Sequence, residues 1–134
     1  MNKKRQTIAE IMELTKGKRI RELGQNEFRE FVSERSTVHC NALKTQIGRI
    51  YFKRMRTKWA SCSSSRNLVI NTLARFLPKE LTDYVVFHEI AHTIERRHND
   101  RFWRIITKKF PNHQEHEREL FAYWFLLKSK GMRS

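Results

Sequence analysis

The segment His88-Glu89-Ile90-Ala91-His92 constrains the fold of this chain more than any other part of its sequence. The four residues before it, Tyr84-Val85-Val86-Phe87, are aromatic or aliphatic, so the segment is expected to enter the core rather than lie on a solvated surface. In a helix, side chains four residues apart share one face, one turn apart, and buried imidazole nitrogens need polar partners. The chain must therefore fold around a helix that presents two histidines side by side.

Two histidines at this spacing can hold one metal ion, with metal–nitrogen distances of roughly 2.0–2.1 Å. Glu89 flanks that position and can take a proton from a metal-bound water molecule. A catalytic zinc site usually has a third protein ligand, and we expect His98 in that role because a turn after Arg96-Arg97 can fold it back under the metal. Competing candidates for this ligand lie farther along the chain: His113, Glu115, His116, Glu117 and Glu119. The pattern predicts Zn²⁺ as the cofactor and Glu89 as the catalytic base.

The charge balance is strongly basic, with 28 Lys and Arg against 14 Asp and Glu and a formal net charge of +14. Such an excess favours polyanions, acidic proteins or anionic membrane surfaces as partners, although it is equally compatible with an ordinary solvated surface. One stretch without an intervening acid is a candidate nucleic-acid surface, and it contains Lys44, Arg49, Lys53, Arg54, Arg56 and Lys58. The oligomeric state is left open.

Neither a membrane span nor a signal peptide is expected. The longest apolar run, residues 120–127, is far shorter than the roughly 20 residues of a membrane helix, and no apolar stretch follows the basic N-terminus. Cys40 and Cys62 are widely spaced, which predicts free thiols and a cytoplasmic location.

Residues 1–25 are expected to form a basic N-terminal segment with a short helical pattern at Ile8, Ile11, Met12 and Leu14. Residues 26–134 are expected to form one domain. A helix is predicted from Asn26 towards Ile47, either continuous or interrupted at Ser36-Thr37-Val38, with Gly48 as its end.

Two strands, residues 49–55 and 68–71, are expected to pair as a hairpin across a polar loop. Three helices follow: one from Pro78 to about Arg96, one capped by Asn99 that stops at Pro111, and one that starts with Asn112 and Glu115 in a capping-box arrangement. The expected buried stripe of the last helix is Leu120, Phe121, Trp124 and Leu127. The predicted fold class is α+β and mostly helical, with the short strands beside the histidine-bearing helix.

Several landmarks in one order resemble the YgjP-like metallopeptidase family, a zincin group related to the SprT and WLM proteases. They are Arg56-Thr57-Lys58-Trp59-Ala60-Ser61-Cys62-Ser63, Asn71, Leu77-Pro78, the segment from Asp83 to His92, His98 and Phe102-Trp103. The family usually has glycine at the position of Ala60, and its members commonly carry an additional β-rich N-terminal region. The resemblance implies a small zincin-like domain.

The resemblance also implies roles for individual residues. His88, His92 and His98 match the family's zinc ligands and Glu89 its general base, while Phe102-Trp103 correspond to an aromatic pair that packs behind the ligand loop. The loop from Trp59 to Cys62 and Asn71 are expected to be structural. In zincins an edge strand beside the active-site helix binds extended substrate, here residues 68–71 or 49–55.

The expected function is therefore that of a zinc-dependent metallopeptidase acting on polypeptides. Two alternatives stay open: a metal-dependent nucleotide or phosphoester hydrolase, and a nucleic-acid-associated protease or DNA-binding module.

Overall fold

The computed structural model describes residues 10, 13, 16–18, 20 and 22–131; the helical pattern expected at Ile8, Ile11, Met12 and Leu14 falls on residues outside this part of the chain. The fold is α+β and mostly helical, as predicted. In chain order its elements are α1 (Gln25–Leu43), β1 (Ile50–Lys53), β2 (Ala60–Cys62), β3 (Leu68–Asn71), a 3-10 helix (Thr72–Phe76), α2 (Lys79–Ala91), α3 (Asp100–Lys109) and α4 (His113–Ser129).

Helix α1 is continuous through Ser36-Thr37-Val38. The Ser36 and Thr37 hydroxyls donate to the carbonyls of Val32 and Ser33, one turn earlier, so both polar side chains are satisfied within the helix. The helix ends at Leu43, with Lys44 in the left-handed conformation (φ 54°). The expected end at Gly48 is therefore wrong.

Gly48 is needed for close packing instead. A Cβ atom at this position would lie 2.3 Å from Asn67 Oδ1, and that oxygen accepts a hydrogen bond from the Arg49 amide at 2.8 Å. Glycine thus lets the chain entering β1 lie directly against the turn that precedes β3.

The predicted hairpin between the first and last strands is wrong. The sheet order is β1-β3-β2, with β1 parallel to β3 and β2 antiparallel to β3. The loop expected to be polar contains β2, whose Ala60 and Cys62 are buried. A three-residue strand of small side chains has too little apolar alternation to be distinguished from a loop in sequence.

Helix α2 is the central element and packs against α1, the sheet, α3 and α4. It ends at Ala91, about five residues before the predicted end, and Pro78 takes the capping position. Asn99 caps α3 as predicted by accepting a hydrogen bond from the Phe102 amide. Asn112, by contrast, makes no side-chain capping bond.

One hydrophobic core joins the helices and the sheet. In α4, Leu120 and Leu127 are buried as predicted, whereas Phe121 is exposed and Trp124 is half-buried. Cys40 and Cys62 are free thiols, as predicted. Among the described residues, the helices lack the length and apolar content that crossing a membrane requires.

Candidate metal centre

Three imidazole rings converge at the end of α2. His98 Nε2 lies 3.3 Å from His88 Nε2 and 3.2 Å from His92 Nε2, and the three ligand atoms all lie within 4.8 Å of one another. His88 and His92 are 8% exposed, and His98 lies at the surface. The structure thus brings together the three histidines singled out in the sequence, in a group that could hold a metal ion.

The loop between α2 and α3 positions His98. Helix α2 ends at Ala91, and the turn that follows is closed by hydrogen bonds from Ile94 N and Glu95 N to the Ala91 carbonyl. The Arg96 guanidinium then donates to the carbonyls of Cys62 and Ser63 at 3.1 and 3.2 Å. This loop is therefore tied to the end of β2 on one side and to the capped start of α3 on the other.

Aromatic rings pack behind the cluster, as the family resemblance implied. Phe102 stacks on the His92 ring with a centroid distance of 4.4 Å, and Trp103 stacks on the His98 ring at 5.9 Å. Because these contacts restrict ring rotation, the nitrogens keep their shared orientation.

The chemistry of the cluster fits a divalent metal. Burial lowers the pKa of His92 to about 4, and burial also lowers the pKa of His98, so these rings are neutral at pH 7 and can donate a lone pair. The outer nitrogen of His92, Nδ1, lies 3.0 Å from the Glu95 carbonyl oxygen. A backbone acceptor there leaves Nε2 as the unprotonated nitrogen.

Glu89 is half-buried and lines the same cleft as the three histidines. Burial raises its pKa to about 7, although His88 and Lys58 oppose the shift. A carboxyl group with a pKa near the ambient pH can both accept and release a proton.

The cleft has a volume of about 710 Å³ and lies between β2, α2 and α4. One wall is apolar, made of Trp59, Leu120, Phe121 and Trp124, and Trp59 packs edge-on against Trp124 at 5.0 Å. Strand β3 is central in the sheet, so the expectation that residues 68–71 could be a free edge is wrong. The edge strand that lines the cleft is β2.

Glu117 was expected only as a competing candidate for the third ligand, but the structure places it behind His88. Its Oε2 lies 3.5 Å from His88 Nδ1 and accepts a hydrogen bond from the Tyr84 hydroxyl at 2.5 Å. Burial alone would raise the pKa of Glu117, but hydrogen bonds from His88 and Tyr84 lower it overall; burial and Glu117 together raise the pKa of Tyr84. Only the i, i+4 spacing of Tyr84 and His88 hinted at this contact in the sequence.

The remaining histidines lie outside the cluster. His113 stacks on Trp103 and His116 lies over the Tyr84 ring; both are half-buried rather than on a fully solvated face. His39 is fully buried, and its Nε2 lies 2.6 Å from Asp83 Oδ1. Within the described residues, Glu115 and Glu119 also stand apart from the three-histidine group.

The six cations of the candidate nucleic-acid surface are all exposed: Lys44, Arg49, Lys53, Arg54, Arg56 and Lys58. No Asp or Glu occurs between Glu34 and Glu80, a span that contains the entire sheet. Across the described part of the chain, the ion pairs involve other residues.

A small α+β fold with three converging imidazoles and an adjacent glutamate defines a candidate metal-dependent hydrolase. The chain belongs to the YgjP-like family: the model of the family's metallopeptidase domain matches residues 2–123, well beyond the landmarks between Arg56 and Trp103. As a member of this family, it is a metal-dependent hydrolase of the metallopeptidase class.

Two solved structures share the fold. The metallopeptidase zymogen jannalysin of Methanocaldococcus jannaschii is 24% identical, with a TM-score of 0.59 over 71% of this chain and 96% of its own. The zymogen abylysin of Pyrococcus abyssi is 20% identical, with a TM-score of 0.57 over 73% of this chain and 93% of its own. A comparison with curated proteins found no match.

Proposed function

We propose that the protein is a zinc peptidase in which His88, His92 and His98 hold the metal and Glu89 is the catalytic base. The observation that carries the proposal is the convergence of the three Nε2 atoms beside a half-buried carboxylate. Three nitrogen ligands leave one coordination position open, as in other catalytic zinc sites. When bound, zinc supplies Lewis acidity that polarises the scissile carbonyl and makes a water molecule more acidic.

Glu89 moves the proton in this reaction. Its carboxylate accepts a proton from the attacking water as the new C–O bond forms. The same carboxyl group then delivers that proton to the amide nitrogen as the C–N bond breaks. Because Glu89 begins and ends ionised, one residue completes the cycle without a separate acid.

The substrate is an extended polypeptide that adds to the outer edge of β2, where the Cys62 carbonyl already accepts a hydrogen bond from Arg96. Backbone hydrogen bonds to the rest of this edge would give affinity without sequence preference, and the apolar wall of Trp59, Phe121 and Trp124 would receive a side chain. Family membership favours peptide bonds over phosphoesters as the bonds cleaved. The two free thiols favour a reducing compartment such as the cytoplasm.

The test of this function is Glu89→Gln in the full chain loaded with zinc. The variant should keep its metal and its fold but lose about 10²–10⁴-fold in kcat on an unstructured polypeptide. Glu80→Gln, which removes the same charge from the exposed start of α2, is the matched control and should be fully active. Full activity in the Glu89 variant would exclude Glu89 as the base. Nucleoside triphosphates incubated in parallel should release no phosphate.

A second candidate property is binding of nucleic acid through the six exposed cations on the acid-free span. If this surface binds DNA, the affinity should fall as the salt concentration rises, because each neutralised phosphate adds about −0.9 to the slope of log K against log[salt]. Replacing Arg54 and Arg56 with glutamine should weaken binding and reduce that slope. The control variant Lys108→Gln removes an exposed charge from α3 and should bind normally. A DNA affinity that does not change with ionic strength would exclude this surface as a nucleic-acid-binding site.

A further inference from the structure

Glu117 is a carboxylate buried behind the metal-binding rings. It is 8% exposed and, apart from histidines, it is the only charged side chain buried in the described part of the chain. Burying a carboxylate is unfavourable unless hydrogen bonds and an opposite charge compensate. The Tyr84 hydroxyl supplies one hydrogen bond, but it carries no charge. Packing and this one bond do not explain why a carboxyl group is buried at this position.

The second neighbour of Glu117 is the outer nitrogen of His88. Glu117 Oε2 lies 3.5 Å from His88 Nδ1, while Nε2 of the same ring faces His98. A neutral imidazole carries its proton on one nitrogen and a lone pair on the other. An anionic acceptor at Nδ1 favours the proton there, which leaves the lone pair of Nε2 directed into the cluster.

His92 shows the same arrangement with a different acceptor. Its Nδ1 faces the Glu95 carbonyl at 3.0 Å and its Nε2 faces His98. His88 and His92 thus share one orientation, but only His88 has a charged group behind it. A dication held by His88 would provide the positive charge that the buried Glu117 otherwise lacks.

We propose that Glu117 is a positioning residue of the metal centre: its carboxylate fixes the Nδ1–H form and the ring orientation of His88, and Tyr84 holds the carboxylate in place. This inference rests on the proposed zinc site. Acceptors behind metal-bound histidines typically contribute 10–100-fold in metal affinity. Glu117 itself does not ligate the metal, since its oxygen faces the outer side of the ring.

The test is the Zn²⁺ affinity of the full chain, measured by competition with a chromophoric chelator. Glu117→Gln, which preserves shape and one acceptor oxygen, should bind Zn²⁺ about tenfold more weakly, and Glu117→Leu up to about 100-fold more weakly. Tyr84→Phe should fall between the wild type and Glu117→Gln. Glu115→Gln removes the same charge from the exposed first turn of α4 and should bind within twofold of the wild type.

Two further readouts separate positioning from a purely structural role. In the Co²⁺-loaded protein, the visible absorption bands of Glu117→Gln should shift in energy, whereas those of Glu115→Gln should match the wild type. In the Zn²⁺-loaded wild type, long-range ¹H–¹⁵N spectra should show the His88 proton on Nδ1, a measurement that requires no variant to fold.

Unchanged Zn²⁺ affinity and Co²⁺ spectrum in Glu117→Gln, or metal on His88 Nδ1, would overturn the positioning role. Loss of metal as complete as in His98→Ala would also overturn it, by making Glu117 a ligand. The proposed function fails in a different experiment, if the wild type neither binds Zn²⁺ nor cleaves polypeptide.

Discussion

Asn71 offers the sharpest test of how the sheet supports the cleft. Its side chain is fully buried, and its amide nitrogen donates to the carbonyls of Met55 and Lys58 at 3.0 and 2.7 Å. Its Oδ1 accepts from the Leu73 amide at 3.0 Å, which caps the 3-10 helix. One amide group thus ties the β1–β2 connection to the end of β3.

Asn71→Ala removes all three bonds at once. The two carbonyls lie on partly exposed residues, so water can replace their partner and each loss costs about 0.5–1 kcal/mol. The Leu73 amide is buried, and leaving it without an acceptor costs about 1–3 kcal/mol. We expect the free energy of unfolding to fall by about 3 kcal/mol, which moves the urea midpoint by about 1.5 M for a slope near 2 kcal/mol/M.

The assay is urea unfolding at pH 7 with Asn26→Ala, an exposed position in α1, as the control. Asn71→Asp keeps the acceptor for Leu73 but directs a carboxylate oxygen at two carbonyls, so it should be less stable than Asn71→Ala at pH 7. The folded state raises the pKa of that new carboxyl group, and the difference between the two variants should therefore narrow as the pH falls. A loss below 1 kcal/mol in Asn71→Ala, or a more stable aspartate variant at pH 7, would refute this reasoning.

Two further predictions concern groups around α2. Burial alone would raise the pKa of Asp83, but hydrogen bonds from His39 and Arg35 lower it overall. Because the folded pKa is lower than the unfolded pKa, the ionised carboxylate stabilises the fold. This contribution is complete above the unfolded pKa of about 3.9 and is lost as the pH falls through the lower folded pKa. Asp83→Asn should therefore flatten the acid limb of a stability–pH curve, and an unchanged limb would contradict the assignment. Arg96→Gln should weaken Zn²⁺ binding about tenfold by loosening the loop that carries His98, because the glutamine amide can keep only one of the two hydrogen bonds to Cys62 and Ser63 and a bond from a charged group contributes about 1.5 kcal/mol. Unchanged affinity in a chelator competition would show that other contacts hold the loop.

The sequence was most informative where chemistry and local periodicity coincide. Helical spacing placed His88 and His92 together, and the short loop before Asn99 brought His98 back to them, because a chain that must restart a helix at Asp100 has few ways to turn. The central helix α2 and the capping role of Asn99 follow from the same local rules.

Features that depend on distant parts of the chain were not predictable. Strand β2 exists because β3 offers it a partner, and its small side chains carry no strand pattern of their own. Gly48 was predicted to end a helix, but its actual role is close packing against Asn67. The position of Glu117 behind His88 depends on how α4 packs against α2, and the i, i+4 spacing of Tyr84 and His88 is not enough to predict it.

The central claim is that three imidazoles hold one metal ion, and the most direct test is the metal content of the purified wild type beside His98→Ala. After equilibration with Zn²⁺ and removal of the excess, the wild type should retain one zinc per chain by elemental analysis. His98→Ala should retain far less, while keeping the secondary structure of the wild type by circular dichroism. Equal zinc content in the two proteins, or none in the wild type, would contradict the account.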